Sequence, residues 1–90
     1  MNNDRRKHLA DIRDNLTTLR ATLECQMETL DQAKDEEQEY LDNMPESLQE
    51  GDKGQKAQEA IDRLQSAWDS LATALSEIDS ALEDIEAAEA

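Results

Sequence analysis

All three residues that break a regular backbone, Pro45, Gly51 and Gly54, fall within one ten-residue window, and roughly forty residues on either side contain none. Proline removes a backbone donor, and glycine costs about 1 kcal/mol in a helix interior. Such punctuation predicts two long helices joined by one connection. The chain has no Val, no Phe, one Trp and one Tyr, too few strand formers for a β domain.

Composition alone points two ways. Leu, Ile, Val and Phe together number 15 of 90, and the net charge is -14, a combination associated with disorder below about 20%. Ala, Glu, Lys, Leu and Arg number 44 of 90, close to the ~50% of coiled coils. Periodicity decides for helix. Ile61, Leu64, Trp68, Leu71, Leu75, Ile78, Leu82 and Ile85 alternate spacings of three and four without a miss. With Ile61 as heptad position a, every a and d site of this segment is apolar, the seam of a packed helix. Ala60, Ala67, Ala74, Ala81 and Ala88 recur at position g, where small side chains widen the stripe and admit a close neighbour.

The first segment follows the same spacing through Leu9, Ile12, Leu16, Leu19, Leu23, Gln26, Leu30, Ala33, Glu37 and Tyr40, with Met27 and Leu41 broadening the face. Its seam weakens beyond Leu30. Asn3 or Asp4 is expected to cap its start, and Pro45 to end it. Asp52 and Gln55 read as a capping pair for the second helix, and residues 45–48 as a short turn. The expected architecture is a single all-α domain, an antiparallel two-helix hairpin with a coiled-coil-like seam. Its helices are expected over residues 4–43 and 53–88, with a loop over 44–52.

Charge placement favours the antiparallel arrangement. Arg5, Arg6 and Lys7 open the first helix, while Glu83, Asp84, Glu86 and Glu89 close the second. Each group has the wrong sign for its own helix dipole, and folding back lets each offset the other. Asp35, Glu36, Glu37 and Glu39 would likewise lie near Lys53 and Lys56. Pairing about the loop centre places Leu9 by Ile85, Leu19 by Leu75, Leu30 by Leu64 and Gln26 by Trp68. A one-heptad slip would put Ala33 opposite Trp68 instead. A single hairpin has one seam and little depth, so self-association into a dimeric four-helix bundle is expected.

No arrangement of residues suggests catalysis. His8 and Cys25, the sole residues of their types, stand 17 positions apart on one helix, about 25 Å. There is no Gly-rich phosphate loop, no zinc-ligand spacing and no EF-hand pattern, so neither cofactor nor metal is expected. A lone Cys forms no internal disulfide and suits a reducing compartment. No apolar run approaches the ~18 residues of a membrane span. Trp68 reads as core, and Met44 and Leu48 as a cap over the hairpin's end. Arg6, Arg13, Arg20 and Lys34, at position e, read as a basic column flanking the seam opposite Asp79 and Glu86.

The polar feature with most functional content is a row of carboxylates. Glu24, Glu28, Asp31, Asp35, Glu39 and Asp42 step by three or four along the first helix, so neighbours are ~5–6 Å apart and the row runs ~27 Å. Residues 1–25 carry five basic and four acidic groups, and residues 26–90 carry four and nineteen. This imbalance repels nucleic acid, so no direct nucleic-acid binding is expected. It suits the basic groove of a protein that binds nucleic acid.

Residues 35–71, DEEQEYLDNMPESLQEGDKGQKAQEAIDRLQSAWDSL, resemble small acidic helical proteins of bacteriophages and prophages. Those proteins run from an acidic helix end through an NMPE-LQ-type turn into an alanine-rich heptad helix. The resemblance implies work inside a bacterial cytoplasm, in an accessory role that includes interference with a host defence or nucleic-acid-handling protein. It assigns no functional residue, and residues 1–34 lie outside it. The sequence therefore reads as a non-enzymatic, protein-binding hairpin, with a self-assembling scaffold as the alternative.

Overall fold

The chain is helical almost from end to end in a computed structural model describing residues 1–90. Helix α1 spans Asn3–Asp42, a short α2 spans Glu46–Gln49, and α3 spans Asp52–Glu89. There is no strand. The molecule is a rod of 68 × 15 × 13 Å with a radius of gyration of 20.1 Å, against about 12 Å for a compact chain of this length.

The helix ends differ in detail from the sequence expectation. Asn2, not Asn3 or Asp4, caps α1: its backbone is extended, and its Oδ1 accepts from the Arg5 N–H at 2.8 Å. Asp4 then lies in the first turn, where its charge suits the helix dipole. At the other end, Pro45 stops α1 and starts α2, its carbonyl accepting from the N–H groups of Leu48 and Gln49. A helix terminus leaves carbonyls without intrahelical donors. The Gln49 amide meets that need, donating to the carbonyls of Leu41 at 3.1 Å and Met44 at 3.0 Å. Leu48 stays 47% exposed, so of the two residues expected to cap the hairpin's end only Met44 is partly covered. Gly51 occupies the N-cap of α3 without a side-chain hydrogen bond. Asp52 is thus the first helical residue and not the cap; the expected Asp52–Gln55 pair does not form.

Gly54 has a role the sequence did not suggest. It sits inside α3, buried, with α2 packed against it. A Cβ at this position would lie 1.9 Å from the Gln49 carbonyl oxygen and 2.4 Å from its carbon. Backbone, not a yielding side chain, fills that space, so the approach of α2 to α3 requires glycine.

That contact sets the alignment of the long helices. α2 uses the first turn of α3, and α1 docks further along it. Arg20 pairs with Asp79, Lys34 donates to Gln65 at 2.8 Å, and Arg13 pairs with Glu89 at 2.5 Å. Early residues of α1 thus meet late residues of α3, and the helices run in opposite directions. The loop-centred register would have put Ala74, Ala60 and Ala81 at those places. The partners found lie five, five and eight residues further on, near the one-heptad slip. In consequence α1 overhangs α3 at its start. Residues 1–8 are exposed, and Arg5, Arg6 and Lys7 do not reach the acidic end of α3; Arg13 does. Lys53 and Lys56 form no ion pair with the acidic end of α1.

On α3 the seam follows the sequence pattern. Ala57 and Ile61 are buried, and Leu64, Trp68, Leu71, Leu75, Ile78, Leu82 and Ile85 are half-buried. On α1 only half of it does. Leu9, Leu16, Leu23 and Leu30 face α3, but the alternate places belong to Arg13, Arg20, Met27, Lys34 and Leu41. Ile12, Leu19 and Tyr40 are instead 46%, 54% and 51% exposed, and Gln26 and Ala33 are exposed. The helix is turned by about 50°, half of the 100° between successive residues. The turn exchanges polar Gln26 for Met27, the one buried side chain of α1, and brings the long cations over the seam edge. There their aliphatic stems cover apolar surface while their heads reach partners.

Replacing Gly54 with Ala tests the α2 contact by the sign of its effect. In an open helix this change raises helix propensity and stabilises by about 0.5–1 kcal/mol. Here overpacking against the Gln49 carbonyl is expected to destabilise by roughly 1–3 kcal/mol, read by urea unfolding. A higher midpoint in the variant would show that α2 does not bear on α3.

A candidate protein-binding face

The six carboxylates of the acidic row are all exposed along one side of α1. Three have partners within the chain. Glu24 is paired with Arg20, Asp31 lies 3.7 Å from the Lys34 ammonium, and Asp42 accepts from Gln38 at 2.9 Å. Glu28, Asp35 and Glu39 have none. The row is therefore held at three points and open at three.

Part of the row borders the groove between the long helices. Glu24, Glu28 and Asp31, with Arg20, rim a shallow cavity of about 370 Å³ whose floor is Met27, Trp68 and Leu75. Trp68 is half-buried and packs as a seam residue, yet it also closes this cavity from the α3 side. It lies by Met27 and Asp31, not opposite Gln26, because α1 is turned and shifted. A second cavity of about 470 Å³, at the connection, is rimmed largely by the amides of Gln38, Gln49, Gln55 and Gln58.

Electrostatics concentrate at Arg20. Its guanidinium spans Asp79, with a second N–H···O contact at 3.1 Å, while its other edge holds Glu24. Accepting this hydrogen bond keeps the Asp79 carboxyl below its ordinary value, against a smaller opposing effect of lost hydration. The same bond raises the Arg20 guanidinium. Of the basic column, Arg20 thus meets Asp79 as its position suggested. Arg13 takes Glu89 in place of Glu86, Lys34 takes Gln65, and Arg6 stays exposed.

Other reactive groups do not converge. His8 and Cys25 are both exposed, separated along α1 by about 25 Å. No three His, Cys, Asp or Glu side chains approach closely enough to hold a metal ion. No helix is long and apolar enough to cross a membrane. The arrangement presents an acidic, partly apolar surface. The cross-helix roles of Arg20 and Lys34 had one signal in the sequence: Met27 and Leu41 share their column, marking it as a place for long side chains against the seam.

No protein-family model, curated protein or solved structure matches this chain.

The Arg20–Asp79 bond predicts a pH dependence. A carboxyl held below its unfolded value adds stability that is present above its ordinary value of 3.8 and is lost as pH falls through the lower folded value. Asp79→Asn should therefore lower Tm at neutral pH, and the gap to the parent should close as pH falls below about 4. Comparing the two proteins at each pH removes the general relief of carboxylate repulsion on acidification. A gap of constant size down to pH 2 would assign the effect to packing alone.

Proposed function

We propose that this chain is a non-catalytic protein-binding factor, an accessory protein or inhibitor of phage type acting in the bacterial cytoplasm. Its acidic face takes the place of a nucleic-acid strand in the basic groove of a host nucleic-acid-handling or defence protein. The observation that carries this reading is the row from Glu24 to Asp42: six exposed carboxylates over about 27 Å, of which Glu28, Asp35 and Glu39 have no partner within the chain. Like charges three or four residues apart cost a helix a few tenths of a kcal/mol per pair. Guanidinium and ammonium groups on a partner would offset that cost. The row places a carboxylate about every 5 Å along its axis, against ~3.4 Å of helix axis per phosphate of one DNA strand, close enough for lysine and arginine side chains to follow. The surrounding negative charge would speed encounter with a basic partner.

A second reading, self-assembly of the hairpin into a dimeric four-helix bundle that serves as a scaffold, is favoured by the thinness of the core. Only Met27, Gly54, Ala57 and Ile61 are buried, and no side chain is sealed from solvent. Helical scaffolds of this size gain stability from association. The residues Ile61 to Ile85 serve the contact between α1 and α3, so a second copy would meet the hairpin elsewhere.

Affinity capture from bacterial lysate separates the two. The tagged chain is expected to retain a basic protein that moderate salt and competing duplex DNA each displace. The variant Glu28→Gln/Asp35→Asn/Glu39→Gln should retain at least tenfold less of it, with helicity by circular dichroism kept or raised. Retention indifferent to the three neutral residues would refute the mimic, and recovery of untagged copies alone would favour the scaffold.

A further inference from the structure

We infer that a second copy of this chain docks on the side of the hairpin where α1 carries no charge, where Ile12, Leu19 and Ala33 of α1 adjoin the alanine column of α3. The inference rests on the self-association reading above and gives it a face. The two sides of the seam are fixed by the cross-helix pairs. Arg20 meets Asp79 and Lys34 meets Gln65, so the position-e columns of both helices lie on one side. Helical geometry then puts the column of Ile12 and Leu19, 100° from the arginines, on the other side, together with Ala67, Ala74 and Ala81.

On α1 that side differs from the rest of the surface in charge; on α3, Arg63, Glu77 and Asp84 stand at position c beyond the alanines. Between Ile12 and Ala33, α1 carries six ionised residues: Arg13, Asp14, Arg20, Glu24, Glu28 and Asp31. All fall on positions b, e and f. Positions c, d and g carry none over about 32 Å of helix, in a chain that is 36% charged. The polar residues there also make few demands. Thr18, Thr22 and Thr29 turn their hydroxyls back to the carbonyls of Asp14, Thr18 and Cys25, at 3.2 Å each, which leaves their methyl groups for contact. Leu19 at 54% and Ile12 at 46% exposed are the large aliphatic side chains of this stretch that the turn of α1 left outside the seam.

The occupant follows from charge and area. A copy with a net charge of -14 meets repulsion wherever carboxylates would face carboxylates, and this strip of α1 is free of them. A two-fold pair brings the same patch against itself, which a neutral strip of aliphatic and methyl groups permits. The monomer exposes 6604 Å², whereas a compact chain of 10.2 kDa exposes about 5,300 Å². The excess exceeds the ~800 Å² per partner of a standard interface. Ala67 and Ala81, exposed beside the strip, and half-buried Ala74 let helices of the copy approach closely.

Sedimentation equilibrium from micromolar to millimolar concentration tests this. The parent chain should form a particle of twice 10.2 kDa. Ile12→Glu/Leu19→Glu should weaken that dimer at least about a hundredfold, tenfold or more for each aliphatic side chain removed from the contact. Helicity should persist, because both side chains are about half exposed in the monomer. Should that variant lose helicity, Thr22→Glu/Thr29→Glu, on the same side but outside the seam, gives the reading and should also dissociate the dimer. Glu28→Gln, on the charged side, should leave it intact. A parent that is dimeric and indifferent to both pairs of changes overturns this face while sparing self-association. A parent that is monomeric throughout overturns both, and leaves the strip to a partner of another sequence.

Discussion

The structure depends on one backbone contact, the seating of α2 against Gly54. The Gln49 carbonyl occupies the space where a side chain at position 54 would begin, so α2 seats directly on the first turn of α3. Gln49 also ties the last carbonyls of α1 to the same short helix, and the three elements meet as one joint. Two uninterrupted helices of 40 and 38 residues carry whatever offset that joint imposes along their full length, because neither contains a flexible point at which to absorb it. The partners of Arg13, Arg20 and Lys34, and the overhang of residues 1–8, follow from the joint.

The offset has a second consequence in the rotation of α1. Arg20 reaches Asp79 only from the side of the helix that also carries Met27, Lys34 and Leu41. Bringing that column to the seam places Met27 in the core and displaces Ile12 and Leu19 to the outside. The exchange trades aliphatic burial for ion pairs in partly solvated positions, where such pairs contribute little each. The result is a thin core, and a rod whose two grooves differ in kind: one laced with charge, the other neutral along α1.

This division lets one helix carry two surfaces. The acidic row lies on the charged side and towards the back of α1, next to the cavity floored by Trp68, and the neutral strip lies away from it. A second copy on the strip would leave the acidic row of each chain uncovered, so the proposed association and the proposed partner capture are compatible. The two readings of function then describe different sides of one object.

Charge placement pointed to the antiparallel return, though Arg5, Arg6, Lys7, Lys53 and Lys56 do not make the contacts it invoked; the breaker-free flanks and the unbroken heptads from Ile61 to Ile85 were enough to read two long helices and the apolar seam on α3. Those features are local or repeat along the chain, and backbone sterics and side-chain period decide them. The acidic row was legible for the same reason, as spacing on one helix fixes which carboxylates share a face. The seam of α1 was not, because it holds two competing columns, one with Ile12 and Leu19 and one with Met27 and Leu41, and periodicity cannot rank them. Nor were the register, the role of Gly54 or the partners of the basic column. Each depends on how close two backbones come and how far along they meet, quantities that exist only once the helices are packed. The neutral strip was present in the letters throughout, but it became a side of the molecule only when Arg20 found Asp79.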